Sequence, residues 1–293
     1  MCHYIIRFDN NKHRPRPDTP DMNPLALAPT SLPDAPPLAF IEAAAAAGFD
    51  GIGLRLNKSP GLPFHPVLGD AALIRAVKRA LTASGLKLVD ILSFYLQPAT
   101  NIAEFAPALD LGAELGGRYA LVMGADTDWP RLSGNFARFC DAAAERGLIA
   151  ALECAVHRPL ATLDQAQRLI AETGRKNAAI CVDPLNFFRA GDRPAMLRAI
   201  DPALLPFAQI SDGLLGPGEP DLENARRNGL NQRRLPGQGV LPLKTYLDEL
   251  PPGLLLSVEV PPPGGAEPDP RQWARRVADT TRGWLDEYHR GKS

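Results

Sequence analysis

Four oxygen-bearing side chains recur near the ends of four successive apolar runs: "IAALECA" (149–155), "AAICVDP" (178–184), "FAQISDG" (207–213) and "LLLSVEV" (254–260). Alternate residues of a strand share a face. That alternation puts Glu153 with Ala151, Asp183 with Ala179 and Cys181, Gln209 with Phe207 and Ser211, and Glu259 with Leu255 and Ser257. A lone buried carboxylate costs several kcal/mol or takes up a proton unless something satisfies it. Three gathered in one place raise one another's pKa. A divalent cation relieves that repulsion. Three carboxylates and an amide oxygen suit a hard ion such as Mg²⁺ or Mn²⁺, whereas zinc takes more His or Cys. The competing reading has each acid capping a helix or pairing with an arginine, and four in succession favour the shared ion.

Such a set needs strands that all point one way. Eight short runs fit: 25–30, 51–56, 87–96, 119–125 and the four above, with Gly, Pro, Asp or Asn at their boundaries. Between them, "LAFIEAAAAAG", "AALIRAVKRALTASG" and "FARFCDAAAERG" end on glycine, a usual helix stop, and the last two carry apolar residues at helical spacing. Trp273, Val277, Trp284 and Tyr288 form one stripe of a final helix. Eight strands, each followed by a helix or a helix-sized gap, predict a single (β/α)8 TIM barrel, an α/β fold whose active site lies at the strand C-termini. An open doubly wound sheet would want a glycine-rich turn after its first strand, where "LAPTSLPDAPP" offers proline.

Composition bounds the rest. The 293 residues suit one large domain: a polar, proline-containing arm over 1–23, within which Met22 is a second candidate start, then the barrel over 24–293. A net charge of −1 gives no reason to expect nucleic acid or an acidic membrane as partner, and no run approaches the roughly 20 apolar residues of a membrane span. Five histidines (His3, His13, His65, His157, His289) are too few for a site built on imidazoles. The four cysteines form no C-x-x-C pair, and with no signal-peptide core the expected setting is reducing and cytoplasmic.

In order and strand context, "ALEC", "VDPLNFFRAGD", "FAQISD", "LPGQG" and "SVEVP" resemble the xylose isomerase-like TIM-barrel superfamily, the sugar phosphate isomerase/epimerase group, over residues 24 to 288. The resemblance implies one divalent metal held by Glu153, Asp183, Gln209 and Glu259, with Gln209 where many members have His. Members often show D-x-x-H-x-x-R; this chain has Asp183, Asn186 and Arg189, and asparagine is no acid or base. It also implies a cation that acidifies a carbon-bound proton of a keto-sugar, with Glu153 and Glu259 as catalytic groups moving that proton through an enediolate.

Substrate-binding roles are assigned to Arg189, Asn186, His157, Arg55 and one of Arg233 or Arg234, with Arg234 preferred. Asp90 would line the far wall, and His65 stands in a loop at the same face. Residues 213–240 exceed a simple βα connection and suit a lid or a surface excursion. Three functions follow: a metal-dependent isomerase or epimerase acting on a small carbohydrate-like substrate, a dehydroshikimate or keto-inositol dehydratase, and a degenerate barrel that binds without turnover. A homo-oligomer is compatible with each.

Overall fold

The structure, a computed structural model, describes residues 23–58, 61–214, 232–265 and 269–292. The arm apart from Asn23, including Met22, and positions 215–231 of the expected lid lie outside the described residues.

Eight parallel strands form the barrel: β1 (Leu25–Leu27), β2 (Gly51–Arg55), β3 (Lys87–Leu96), β4 (Tyr119–Gly124), β5 (Ile149–Glu153), β6 (Ala178–Cys181), β7 (Ala208–Ile210) and β10 (Leu256–Val258). They hydrogen-bond in the order β6-β5-β4-β3-β2-β1-β10-β7. A parallel bridge between Val182 and Ala208 links the two ends of that order, with the Gln209 amide donating to the Val182 carbonyl at 2.8 Å. Two further short strands, β8 (Asp212–Gly213) and β9 (Arg233–Arg234), pair antiparallel above β7. The expected strand over 207–213 is therefore broken at Ser211, which leaves Asp212 free to turn toward β9.

Helices cover the outside among the described residues: α1 (Pro37–Ala46), α2 (Ala71–Ser84), α3 (Ala106–Glu114), α4 (Trp129–Ala144), α5 (Leu163–Thr173), the short α6 (Pro184–Arg189), α7 (Pro194–Arg198) and α8 (Leu243–Asp248), and α9 (Pro270–Arg290). The caps explain several boundaries. Asp70 accepts from Ala72 and Leu73 at the start of α2, and Gly85 ends it in the left-handed conformation at φ 72°. Asp128 caps α4, which starts seven residues before the periodic stretch beginning at Phe136.

Two apolar layers follow from strand alternation. Ile52, Leu54, Ile91, Phe94, Val122 and Leu152 are among those packing outward against the helices. Ala26, Val89, Leu121, Ala151, Cys181 and Phe207 belong to a second cluster that fills the barrel, with Tyr119 stacked on Phe207 at 4.7 Å between centroids. This inner cluster is the floor on which the polar side chains stand.

Candidate active site

Each acidic side chain is placed by a local device. Glu153 is the last residue of β5, paired with Cys181 of β6, and is buried. Asp183 lies two residues beyond β6 and caps α6, accepting from the Asn186 amide at 2.8 Å through Oδ1. Glu259 follows β10. The Ser31 hydroxyl fixes that segment by donating to the Val258 carbonyl at 2.8 Å and accepting from the Val260 amide at 2.9 Å. Thr30, beside it, hydrogen-bonds the Glu259 carboxylate. Asp90 of β3 gains its room from β2: a Cβ on Gly53 would stand 2.9 Å from Asp90 Oδ1.

Glu153, Gln209 and Glu259 line one cavity of about 90 Å³, together with Asp90, Asn186 and Arg233. Asp183 is tied to it through Arg233, whose Nη1 donates to Asp183 Oδ2 at 2.5 Å and to the Ser211 hydroxyl at 2.8 Å. Arg233 Nη2 lies 3.8 Å from Glu259 Oε1. The guanidinium thus bridges two of the four groups. A larger cleft of about 530 Å³ lies at the other end of the barrel, beside Asn23 and Tyr288, and none of these carboxylates reaches it.

Charge governs this mouth. Burial pushes Glu153 well above the usual carboxylate range, and the nearby charges of Glu259 and Asp183 add to it against the pull of Arg233. Burial also raises Glu259, opposed by Arg233. Asp90 is pushed up to about 7 by burial and then by the Glu259 charge. Desolvation works against the Arg233 charge, but Asp183 and Glu259 more than offset it, so its pKa is raised. Four carboxylates (Asp90, Glu153, Asp183, Glu259) thus face two buried guanidiniums, Arg55 and Arg233.

The donor set fits a divalent cation in type: carboxylates outnumber the buried guanidiniums, and Gln209 Oε1 is a buried acceptor with no hydrogen-bond partner among the described residues. Glu153, Gln209 and Glu259 would hold it, with Asp183 joining from beneath Arg233. As the side chains lie, no three His, Cys, Asp or Glu among the described residues are gathered to share an ion. The guanidinium of Arg233 stands among them instead.

The remaining expected residues divide. Asn186 and His157 line the cavity. Arg55 is buried beside it and feels the Glu259 charge, which opposes the lowering of its pKa by burial. Arg189 turns to Gln232, donating to its Oε1 at 2.6 Å. Half-buried Arg234 donates to the Arg233 carbonyl at 2.9 Å and does not line the cavity, whereas Arg233 does. Of the two adjacent arginines the inward one is Arg233, because Arg233 and Leu235 share the buried face. Exposed His65 meets the Asp34 carbonyl at 2.9 Å. Arg158, Tyr95 and Thr30 are cavity residues that the sequence reading passed over. Position alone could have found Arg158, five residues after Glu153 in a strand-end loop.

The comparisons agree with this architecture. No curated protein matches the chain. Among solved structures, a xylose isomerase-like TIM barrel/4-hydroxyphenylpyruvate dioxygenase fusion protein superposes with a TM-score of 0.73 at 21% identity. The match covers 91% of this chain, which spans only 44% of the fusion protein. IolI protein with a bound zinc atom gives 0.68 at 18% identity, covering 90% of this chain and 97% of that one. The 3-keto-D-glucoside 4-epimerase YcjR from E. coli gives 0.67 at 16% identity, covering 91% and 100%. At such identities these likenesses speak to the fold alone. The family model described as xylose isomerase-like TIM barrel matches residues 41–287, and the chain belongs to that family.

Proposed function

We propose that this barrel is a divalent-metal-dependent isomerase or epimerase acting on a small keto-sugar or related keto compound by proton transfer through an enediolate. The observation that carries the reading is the unpartnered Gln209 Oε1 among buried carboxylates that outnumber their guanidinium partners. The zinc found in IolI and the epimerase activity named for YcjR point the same way by analogy of fold.

When bound, a divalent ion would supply positive charge to the oxygens of the enediolate and lower the pKa of the carbon acid. Glu153 and Glu259 are the groups that take and return the proton, since each brings a carboxylate to the cavity wall, Glu153 as the last residue of β5 and Glu259 just beyond β10. Burial on the floor of Ala151 and Cys181 keeps bulk water from Glu153 and favours its protonated form. Burial raises Glu259 too, and Arg233 and Thr30 oppose that rise. Asn186 and His157 orient substrate oxygens, and neutral Asn186 moves no proton.

A barrel that binds a ligand without metal is the second reading, favoured by the pair between Arg233 and Asp183, which already neutralises one carboxylate. Metal analysis of the purified full chain, followed by solvent-deuterium exchange into a panel of ketoses, inososes and dehydroshikimate, separates the two. The isomerase reading expects bound divalent metal and exchange at a carbon next to the carbonyl, lost in both Glu153→Gln and Glu259→Gln. Absence of metal and of exchange on every compound favours the binding barrel. Dehydration in place of exchange moves the chain to the lyases.

A further inference from the structure

The join between β6 and β7 is the thinnest in the barrel. Every other pair of neighbouring strands shares a ladder, whereas here the described residues form a lone parallel bridge between Val182 and Ala208. Across it the Gln209 amide donates to the Val182 carbonyl at 2.8 Å. Two of the expected metal ligands flank this join: Asp183 directly follows Val182, and Gln209 directly follows Ala208.

Tyr246 of α8 reinforces that join from the helical side. Its place beside Leu243, Leu247 and Leu250 on the buried face asks only for apolar bulk. The phenol adds a donor, and the whole side chain is buried. Its hydroxyl proton is shared between the Val182 carbonyl at 3.0 Å and the Gln209 carbonyl at 3.3 Å. A carbonyl oxygen has two lone pairs, so Val182 accepts the Gln209 amide and the phenol together. The ring also packs against Phe187 and Phe188 of α6, with centroids 5.9 and 6.2 Å away. Asp183 caps that helix, and Asn186 belongs to it. One side chain outside the barrel thus touches the backbone before Asp183, the backbone of Gln209 and the helix of Asn186.

We infer that Tyr246 is a positioning residue: it fixes the β6–β7 join and thereby the separation of Asp183 from Gln209 at the mouth of the barrel. It does not line the cavity and bonds to carbonyls of the backbone, so it touches no reacting atom. A metal ion binds tightly where its ligands are already held at the right spacing, and groups that hold ligands from behind are worth about 10–100-fold in affinity. The inference rests on the reading above for what Asp183 and Gln209 hold, but not for how the two are held.

The test is Tyr246→Phe in the full chain, which keeps the ring and its packing and removes the hydroxyl. Val77→Ala, a buried cut on α2 at the far side of the barrel, is the reference for ordinary core damage. Amide hydrogen exchange of the metal-free chain reads the join directly. The comparison amide is that of Leu56, which donates to the Leu92 carbonyl at 2.7 Å beside the opposite β2–β3 join. In Tyr246→Phe the Gln209 amide should exchange about ten-fold faster relative to Leu56, and Val77→Ala should not raise that ratio. Mn²⁺ titration, followed by the electron paramagnetic resonance signal of the free ion, gives the second readout. Affinity should fall about ten-fold in Tyr246→Phe and less than about two-fold in Val77→Ala. An exchange ratio unchanged in Tyr246→Phe, Mn²⁺ affinity unchanged in it, or the same loss of affinity in both variants overturns the inference. A wild type that takes up no Mn²⁺ sinks the metal reading instead, and the exchange ratio then decides alone whether Tyr246 holds the join.

Discussion

Arg233 Nη1 donates to Asp183 Oδ2 at 2.5 Å, and both side chains are almost wholly buried at the mouth of the barrel. Fifty residues apart in sequence, they meet because Asp183 caps α6 while β9 folds back against β8. Removing one member of a buried pair leaves an uncompensated charge, worth about 3–5 kcal/mol. Arg233→Met should therefore destabilise the metal-free chain by about that amount in urea unfolding. Added Mn²⁺ should recover more stability in this variant than in the wild type, because Asp183 is then unopposed. A variant as stable as the wild type in the presence of EDTA would show that the pair carries little.

Metal binding to the folded chain alone raises stability by mass action, about 2.7 kcal/mol at a hundred times the dissociation constant. Millimolar Mn²⁺ or Mg²⁺ should raise the melting temperature of the full chain. Glu259→Gln should weaken that rise by removing a charge, and Gln209→Ala by removing the unpartnered acceptor. No metal-dependent shift in the wild type would leave the binding barrel as the better account.

All eight barrel strands were legible in the sequence because their apolar runs are long and their boundaries carry turn residues. Their upper ends were not. Glu259 and Asp183 fall just outside the strands assigned to them, which end at Val258 and Cys181 with only the Val182–Ala208 bridge and the Glu259 amide bond to Ile210 beyond. Alternation nonetheless brought Glu153, Gln209 and Glu259 to one cavity. The structure turns Arg233 toward the cavity where the sequence reading prefers Arg234, for a physical reason. Two adjacent arginines carry the same charge, and only the register of β9 against Gly213 decides which turns inward. Arg158 stayed hidden because a loop has no period, and its ring partner Tyr95 lies 63 positions away.

Asp90 provides a pH dependence. Its carboxyl is held at about 7 in the fold against an ordinary 3.8, by burial first and the Glu259 charge second. The folded state binds this proton more tightly than the unfolded chain does. The associated stability is complete below pH 4 and is lost as pH rises from there through 7. A shift of this size corresponds to about 4 kcal/mol at most. Asp90→Asn cannot ionise, so in urea unfolding with EDTA it should gain on the wild type at pH 8 and lose that advantage at pH 4. Equal differences at the two pH values would mean that Asp90 does not titrate in this window.

The loop that carries Arg233 into the site is held by Asp212. Oδ1 accepts from the Gly213 amide at 2.8 Å and the Leu241 amide at 3.0 Å, and Oδ2 accepts from Gly237 at 3.1 Å. The carboxylate thereby closes the turn "LPGQG" against β8, directly beside the Gly213–Arg233 pairing. Gly239 is required by the same closeness, since a Cβ there would stand 2.3 Å from Asp212 Oδ1 and 2.6 Å from the Gly213 nitrogen. Neither neighbour is the free end of a flexible side chain. Gly239→Ala should cost about 1–3 kcal/mol as an overpacking change. Asp212→Ala strands three backbone donors, and Asp212→Asn, which keeps one acceptor, should be milder. Both alanine variants should also loosen Arg233. On the metal reading Mn²⁺ would enter beside Arg233, so its stabilising effect should change in them while the inner core of Tyr119 and Phe207 is untouched. Near-ultraviolet circular dichroism of that aromatic pair, recorded with the Mn²⁺ titration, separates a local change at the mouth from a general loss of packing. An unchanged Mn²⁺ response in both alanine variants would show that Arg233 is placed independently of this turn.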